Sequence, residues 1–339
     1  MTPRDSLPNY KSRTLDEKEL EPCTEEEIKE YQSIVGNLTW LAINTRPDLL
    51  HFSTNAARAS KAPCKAQLRV VRQALGYLQH KTEMSIKYDG TNIDEIRLEA
   101  YSDADLASKS LFTDTIPNTE PGKQRSTSGY VITCGSGAIA YKSKLQARVA
   151  RHVALAEYNA CLACAEVLQS LQNLLWELGF PQYKTIILVD NKPVIHSLIG
   201  DHAKAMSRHD AIELAILQER IADNKLYPIH IETKLNISDI FTKANADNFD
   251  TNISIITGKA GTAKQLKQRT LNILKQSYKG NMMTSDFPSF EDLQTYLLDA
   301  HKLEDGFKYI PSQFPATVAF TLQSNKKKRQ RKKKQLLKL

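Results

Sequence analysis

Thr185-Ile-Ile-Leu-Val-Asp-Asn-Lys-Pro193 is the stretch whose reading decides the fold. Thr185 to Val189 is continuous and largely β-branched, the pattern of a strand covered on both faces, as in a parallel sheet. The chain then turns directly into a helix, with Pro193 in the first turn, where its missing N–H is no loss. Such a strand needs neighbours. Upstream, Ile96, Leu98 and Ala100 alternate with Arg97, Glu99 and Tyr101, which reads as a strand. Strands over 128–134 and 138–143 flank Gly135 and Gly137, a hairpin turn. A long helix over 154–178 stops at Gly179, a suitable C-cap. Downstream, helices over 192–198 and 207–222, a strand over 227–232 and a short helix over 238–244 follow. Three antiparallel strands, a helix, then alternating strands and helices specify an α/β fold, a mixed sheet flanked by helices.

Outside this region the pattern changes. Residues 1–22 are polar and read as a flexible leader. Thr24 to Glu27 resemble a capped, acidic first helical turn, and Tyr31, Ile34, Val35 and Leu38 then recur at helical spacing. Pro47 marks a break, and a second helix over 65–80 carries Leu68, Val71, Leu75 and Leu78. Residues 113–124 read as a long polar loop. Beyond residue 248 the signal weakens, with helices expected over 263–278 and 290–301. The resulting division is a leader (1–22), a helical segment (23–92), the α/β domain (93–245), a helical extension (246–310) and a basic tail (311–339).

With 41% hydrophobic and 25% charged residues over 339 positions, the chain has an ordinary globular composition. It holds no apolar run of the roughly 18–20 residues needed to span a bilayer, and its first residues lack the apolar core of a signal peptide. An intracellular protein, cytoplasmic or nuclear, with no membrane partner is therefore expected. The net charge of +8 is concentrated in residues 326–338, which carry nine positive charges and no negative one, leaving the remainder at −1. A polycationic block of this kind is expected to be disordered and to bind nucleic acid or a nuclear import receptor, or simply to aid solubility. The five cysteines suit reduced thiols. Cys161 and Cys164 form a Cys-x-x-Cys, but two further zinc ligands at matching spacing are missing, and both fall within an apolar helical stripe, so they read as core.

Four carboxylates carry the chemistry. Asp103 ends the first strand, Glu157 opens the long helix, Asp190 ends the strand quoted above, and Asp239 opens a short helix. Glu157 heads a seam shared with Cys161, Cys164, Leu168, Leu171, Leu175 and Leu178. An ionised carboxylate there needs a compensating charge. Spacing leaves open whether that is a buried Arg or Lys, a proton, or a metal cage. Asp190 sits where sites in such sheets collect, at the carboxyl end of a strand, though it could equally cap the helix. Asp103 and Asp239 could each serve a turn or a helix end. Acids from four elements, able to converge, would make an oxygen-only cage suited to Mg2+ or Mn2+.

The strings Tyr-Gln-Ser-Ile-Val-Gly-Asn-Leu-Thr-Trp-Leu-Ala (from Tyr31), Thr-Arg-Pro-Asp-Leu (from Thr45), Tyr-Ser-Asp-Ala-Asp (from Tyr101), Arg-Ser-Thr-Ser-Gly-Tyr-Val (from Arg125), Ala-Glu-Tyr (from Ala156), Val-Asp-Asn (from Val189) and Asp-Ile-Phe-Thr-Lys (from Asp239) together resemble the C-terminal end of a copia-type LTR retrotransposon Pol polyprotein. The resemblance runs from about residue 27 to 245. It implies a ribonuclease H-like mixed five-stranded sheet, preceded by a helical reverse-transcriptase remnant and followed by a helical or disordered extension. It implies catalysis by Asp103, Glu157, Asp190 and Asp239 with two Mg2+ ions, Mn2+ being an alternative, on the RNA strand of an RNA–DNA hybrid. Arg125, Ser126 and Asn191, beside these strings, are candidate hybrid contacts. No polymerase site is expected. The chain departs from the pattern at Leu155, where the family usually has Glu, at His152-Val153-Ala154 in place of Ser-Ser-Thr, and at Leu106 and Tyr141 in place of tryptophans. The rival expectation is a decayed or domesticated remnant that binds nucleic acid without cutting it.

Overall fold

The computed structural model describes residues 3–88, 97–116, 121–180, 182, 185–199, 208–223, 225–261 and 263–279. The expected helix over 290–301 and the basic tail lie outside these residues. Five strands form one sheet: β1 (Leu98–Asp105), β2 (Thr127–Cys134), β3 (Gly137–Leu145), β4 (Thr185–Val189) and β5 (Leu226–His230), in the order β3-β2-β1-β4-β5. The first three pair antiparallel, while β1 with β4 and β4 with β5 pair parallel. This is the mixed five-stranded α/β sheet expected from the sequence. All five residues of β4 are buried, as its unbroken apolar run requires. Gly135, at φ +65°, makes the tight turn of the β2–β3 hairpin.

Each face of the sheet has its own core. One is covered by α6 (Val153–Glu177), α7 (Lys192–Ile199) and α8 (Arg208–Ala222), which bury Cys161, Cys164, Leu168, Val194, Leu198, Leu214 and Leu217 against Leu98, Ala100, Ile132 and Ile187. The two cysteines are core residues, as their place in the stripe indicated, and no disulfide forms among the described residues. The stripe of α6 leaves the core beyond Leu168: Leu171 and Leu175 are half-buried and Leu178 is 61% exposed.

The other face corrects the expected domain division. Tyr101, Val131, Ile186, Leu188 and Ile229 share a single core with residues of α2 (Glu25–Asn44), α3 (Leu50–Arg58) and α4 (Lys65–His80). The helical segment is thus the cover of the sheet, and no hydrophobic boundary separates it from the strands. α2 starts as expected, with Thr24 and Glu27 in a reciprocal capping box. α3 was not singled out from the pattern, because half of its buried residues are polar: His51, Ser53 and Asn55, beside Leu50, Phe52 and Ala56. The same core takes in Ile253 and Ile256 of α9 (Phe249–Ile256) and Leu271 and Ile273 of α10 (Ala263–Lys279), so the extension contributes to the packing as far as Ile273.

The leader is likewise not a free segment. Leu7 and Tyr10 are buried, and the Tyr10 ring meets Phe52 edge-on at 5.1 Å and Phe112 at 6.0 Å. A short helix, α1 (Glu17–Leu20), is capped by Asp16. The expected long loop after β1 holds a helical turn, α5 (Leu111–Asp114), whose Leu111 N–H donates to the Tyr10 carbonyl at 2.9 Å.

Candidate metal centre

Three carboxylates meet at one end of the central strands. Asp103 lies near the end of β1, Asp190 follows β4, and Glu157 occupies the second turn of α6. One oxygen from each lies within 4.8 Å of the others. Local sequence explains each placement. Asn191, not Asp190, caps α7: its side-chain oxygen accepts from the Val194 N–H at 3.2 Å. Asp190 is therefore left free for the cluster. α6 begins with His152, whose Nδ1 accepts from the Leu155 N–H at 3.2 Å, so a histidine does the capping expected of a hydroxyl residue there. Small side chains, Ala104, Ala150, Ala156 and Ala160, form the contact beside Glu157 and let this end of the helix lie close to the strand.

The fourth acid stands beside this trio rather than in it. Asp239 lies in a 3-10 turn, Ile237–Phe241, where a short α-helix was expected. Asn236 fixes the turn: its amide donates to the Ser102 carbonyl of β1 at 3.0 Å, and its oxygen accepts from Ser238 N–H at 3.2 Å. The turn presses onto β2 at Gly129, which pairs with Asp103 across the ladder. A Cβ at Gly129 would come within 2.8 Å of the Phe241 Cβ and 2.6 Å of the Thr242 Cγ2. Glycine there allows the Thr242 hydroxyl to donate to Asp103 Oδ2. It also brings in Lys243, whose Nζ lies 2.9 Å from Asp239 Oδ1 and 3.7 Å from Asp103 Oδ2. Thr242 and Lys243 were not singled out from sequence, although both belong to the Asp-Ile-Phe-Thr-Lys string, and the spacing of four between Asp239 and Lys243 was the available signal.

The electrostatics match a site short of positive charge. Burial, then the neighbouring Asp103 and Asp190, push the Glu157 carboxyl up to about 10. Burial and then Asp103 push Asp239 up to about 7. Burial also raises Asp103, against the pull of Lys243. Glu157 Oε2 is buried and has no hydrogen-bond partner. An orphaned oxygen on a carboxylate that meets two further acids fits a hard divalent cation, which would satisfy the oxygen and lower the repulsion together.

The other candidates separate. Ser126 is fully buried, and its hydroxyl accepts from the Ala107 N–H at 3.4 Å. It braces the turn after β1, which removes it from direct contact with a bound strand. Arg125 and Asn191 are partly exposed. Tyr141, one of the two departures from tryptophan, stacks on Phe241 at 5.9 Å and donates to the Ala42 carbonyl at 3.0 Å, a packing role. Leu155 and Leu106 are partly buried beside the alanine contact.

No protein-family model matches the chain. It is 30% identical over 213 residues, 63% of its length, to the retrovirus-related Pol polyprotein from transposon TNT 1-94 of Nicotiana tabacum. Pol polyproteins of Arabidopsis thaliana and Saccharomyces cerevisiae transposons match at 23% to 28% identity. Over about two thirds of its length the chain is similar to copia-type retrotransposon Pol polyproteins. It spans about 15% of the length of the tobacco relative. A shorter relative, secreted RxLR effector protein 161 of Plasmopara viticola, is 30% identical over 130 residues, 38% of this chain and 82% of that protein. Among solved structures, LC11-RNase H1 in complex with an RNA/DNA hybrid is 17% identical, covering 43% of this chain and 94% of that one with a TM-score of 0.32.

Proposed function

We propose that this chain hydrolyses the RNA strand of RNA–DNA hybrids, with divalent metal bound at the carboxylate cage. The observation that carries the reading is the convergence of Asp103, Glu157 and Asp190 from three elements of a ribonuclease H-like sheet. These residues would hold Mg2+, with Mn2+ as a substitute, through oxygen ligands alone. Asp239 supplies a further acid on the Lys243 side. Divalent cations held by these carboxylates would supply charge neutralisation and an activated water for hydrolysis of the RNA strand.

The chain's own groups prepare that chemistry. Buried walls exclude water from one side of the acids, which strengthens every charge interaction there. The Thr242 hydroxyl holds one oxygen of Asp103 in place. The Ala104 backbone N–H favours the charged forms of both Asp103 and Glu157. RNA would be told from DNA by its 2′-hydroxyls, with Arg125 and Asn191 as the exposed candidates for contact. The basic residues 326–338 would add sequence-independent affinity through counterion release, in the cytoplasm or the nucleus. The rival reading, a remnant that binds without cutting, gains nothing from the cage, whose acids are all retained.

The test is cleavage of a labelled hybrid by the full chain with Mg2+ or Mn2+. The RNA strand is expected to be cut and the DNA strand left intact, with Glu157→Gln inactive. A folded wild-type chain that leaves the hybrid whole with either metal would sink the proposal. Removing residues 326–339 is expected to weaken hybrid binding and flatten its salt dependence.

A further inference from the structure

Lys243 ends the turn that carries Asp239, and its ammonium is directed at the acids. It lies 2.9 Å from Asp239 Oδ1 and 3.7 Å from Asp103 Oδ2, with its side chain 37% exposed. Its position is built rather than incidental. Asn236 fixes the start of the turn, Gly129 lets the turn lie against β2, and the Thr242 hydroxyl anchors it to the same carboxylate that Lys243 faces. Burial alone would pull this ammonium's pKa down, yet the attraction of Asp103, Asp239 and Asp190 outweighs it.

An ammonium is a compact cation on a flexible four-carbon stem. At this place it supplies charge to the oxygens that a divalent ion on the Asp239 side would need. Two cations cannot share those oxygens at contact distance without strong repulsion. One of them must yield, and the partly exposed stem gives Lys243 room to do so. Glu157 Oε2, by contrast, is left without a hydrogen bond. The cage is thus lopsided, neutralised at Asp239 and open at Glu157.

We propose that Lys243 is a built-in counter-ion of the cage, which competes with a divalent cation for Asp103 and Asp239 and so sets the affinity of that side. The proposal rests on the metal-cage reading above. Lys243 is a positioning residue in this account. It stabilises the chain when metal is scarce and raises the metal concentration needed to load the Asp239 side.

The experiment titrates the full chain with Mn2+, following free Mn2+ by electron paramagnetic resonance, together with melting of the metal-free and Mn2+-saturated forms. Wild type is compared with Lys243→Met, Lys243→Gln and Lys243→Arg, and Asp103→Asn marks binding in the cage. Lys243→Met or Lys243→Gln is expected to tighten the weaker Asp103-dependent binding step by about tenfold or more. The metal-free melting temperature should fall and be restored by saturating Mn2+. Lys243→Arg should retain weak binding. Isotherms of the folded Met or Gln variant that superimpose on wild type would overturn the counter-ion role while leaving the cage standing. Absence of any Asp103-dependent Mn2+ binding in wild type would overturn the cage reading, and this proposal with it.

Discussion

Among the described residues, two buried polar clusters are completed in opposite ways. The first joins the leader to α3 and α5. The Asn55 amide approaches His51 Nε2 at 2.9 Å and the His51 carbonyl at 3.0 Å, while its oxygen accepts from Ser110 Oγ at 3.1 Å. Those bonds orient the amide, so Nε2 accepts and Nδ1 carries the proton, which it donates to the Tyr10 hydroxyl at 2.8 Å. The second cluster is the carboxylate cage, where acids face acids and Glu157 Oε2 has no hydrogen bond. A buried polar group that finds its partner within the chain holds the fold together. One that does not is waiting for something the chain lacks.

The largest effect tests which residues the fold needs. Deleting residues 1–92 removes α2, α3 and α4 and uncovers Tyr101, Val131, Ile186, Leu188 and Ile229 on one sheet face. The shortened chain is expected to be insoluble or to lack a cooperative thermal transition. A soluble, cooperatively melting 93–339 fragment would show that the helical segment is an ornament to the sheet.

Single substitutions should then separate the clusters. Asp103→Asn is expected to lower hybrid cleavage on the order of a thousandfold, with no loss of metal-free melting temperature, because it removes one of several crowded charges. Tyr10→Ala is expected to do the reverse. It empties a buried aromatic site against Phe52 and Phe112 and breaks the His51 bond, at about 3 kcal/mol, while the cage keeps its metal affinity. Denaturant unfolding and metal titration of both variants check the pair.

The smallest effect is the pH profile of the metal-free chain, where the clusters pull in opposite senses. Burial, with Arg58 nearby, lowers His51 from 6.5 to about 3, so the unfolded chain binds the extra proton and stability falls as pH drops from 6.5 towards 3. Glu157 is raised from 4.5 to about 10 and Asp239 from 3.8 to about 7. Here the folded chain holds the extra protons. Their stabilising contribution is complete below the unfolded values and is lost as pH rises towards about 7 for Asp239 and about 10 for Glu157. Melting temperature should therefore decline on the alkaline side, and saturating Mg2+ should flatten that limb without altering the acid one. An alkaline limb that Mg2+ leaves unchanged would detach the pH effect from the cage.

Much of this was legible in the sequence, for reasons that differ by region. β4, α4 and α6 were found within about a residue because each has an unbroken period and a clear stop. The cage trio was legible because Glu157 heads an apolar seam and Asp190 ends a buried strand. What sequence missed is non-local. α3 hides its burial behind polar residues whose partners come from the leader and from α5. The leader looks free because few apolar residues, Leu7, Pro8 and Tyr10 among those described, anchor its first half. Ser126 looked available because its burial depends on the turn after β1. Gly129 and Lys243 sat within recognised strings, but their meaning emerges only where the Asp239 turn meets β2.

The most direct test of the central claim is anomalous diffraction from crystals of the full chain soaked in Mn2+. A manganese peak coordinated by Asp103, Glu157 and Asp190 is expected, with Glu157 Oε2 no longer orphaned. Fully soaked crystals with no peak there, and with the three carboxyls hydrogen-bonded to one another through shared protons, would contradict it.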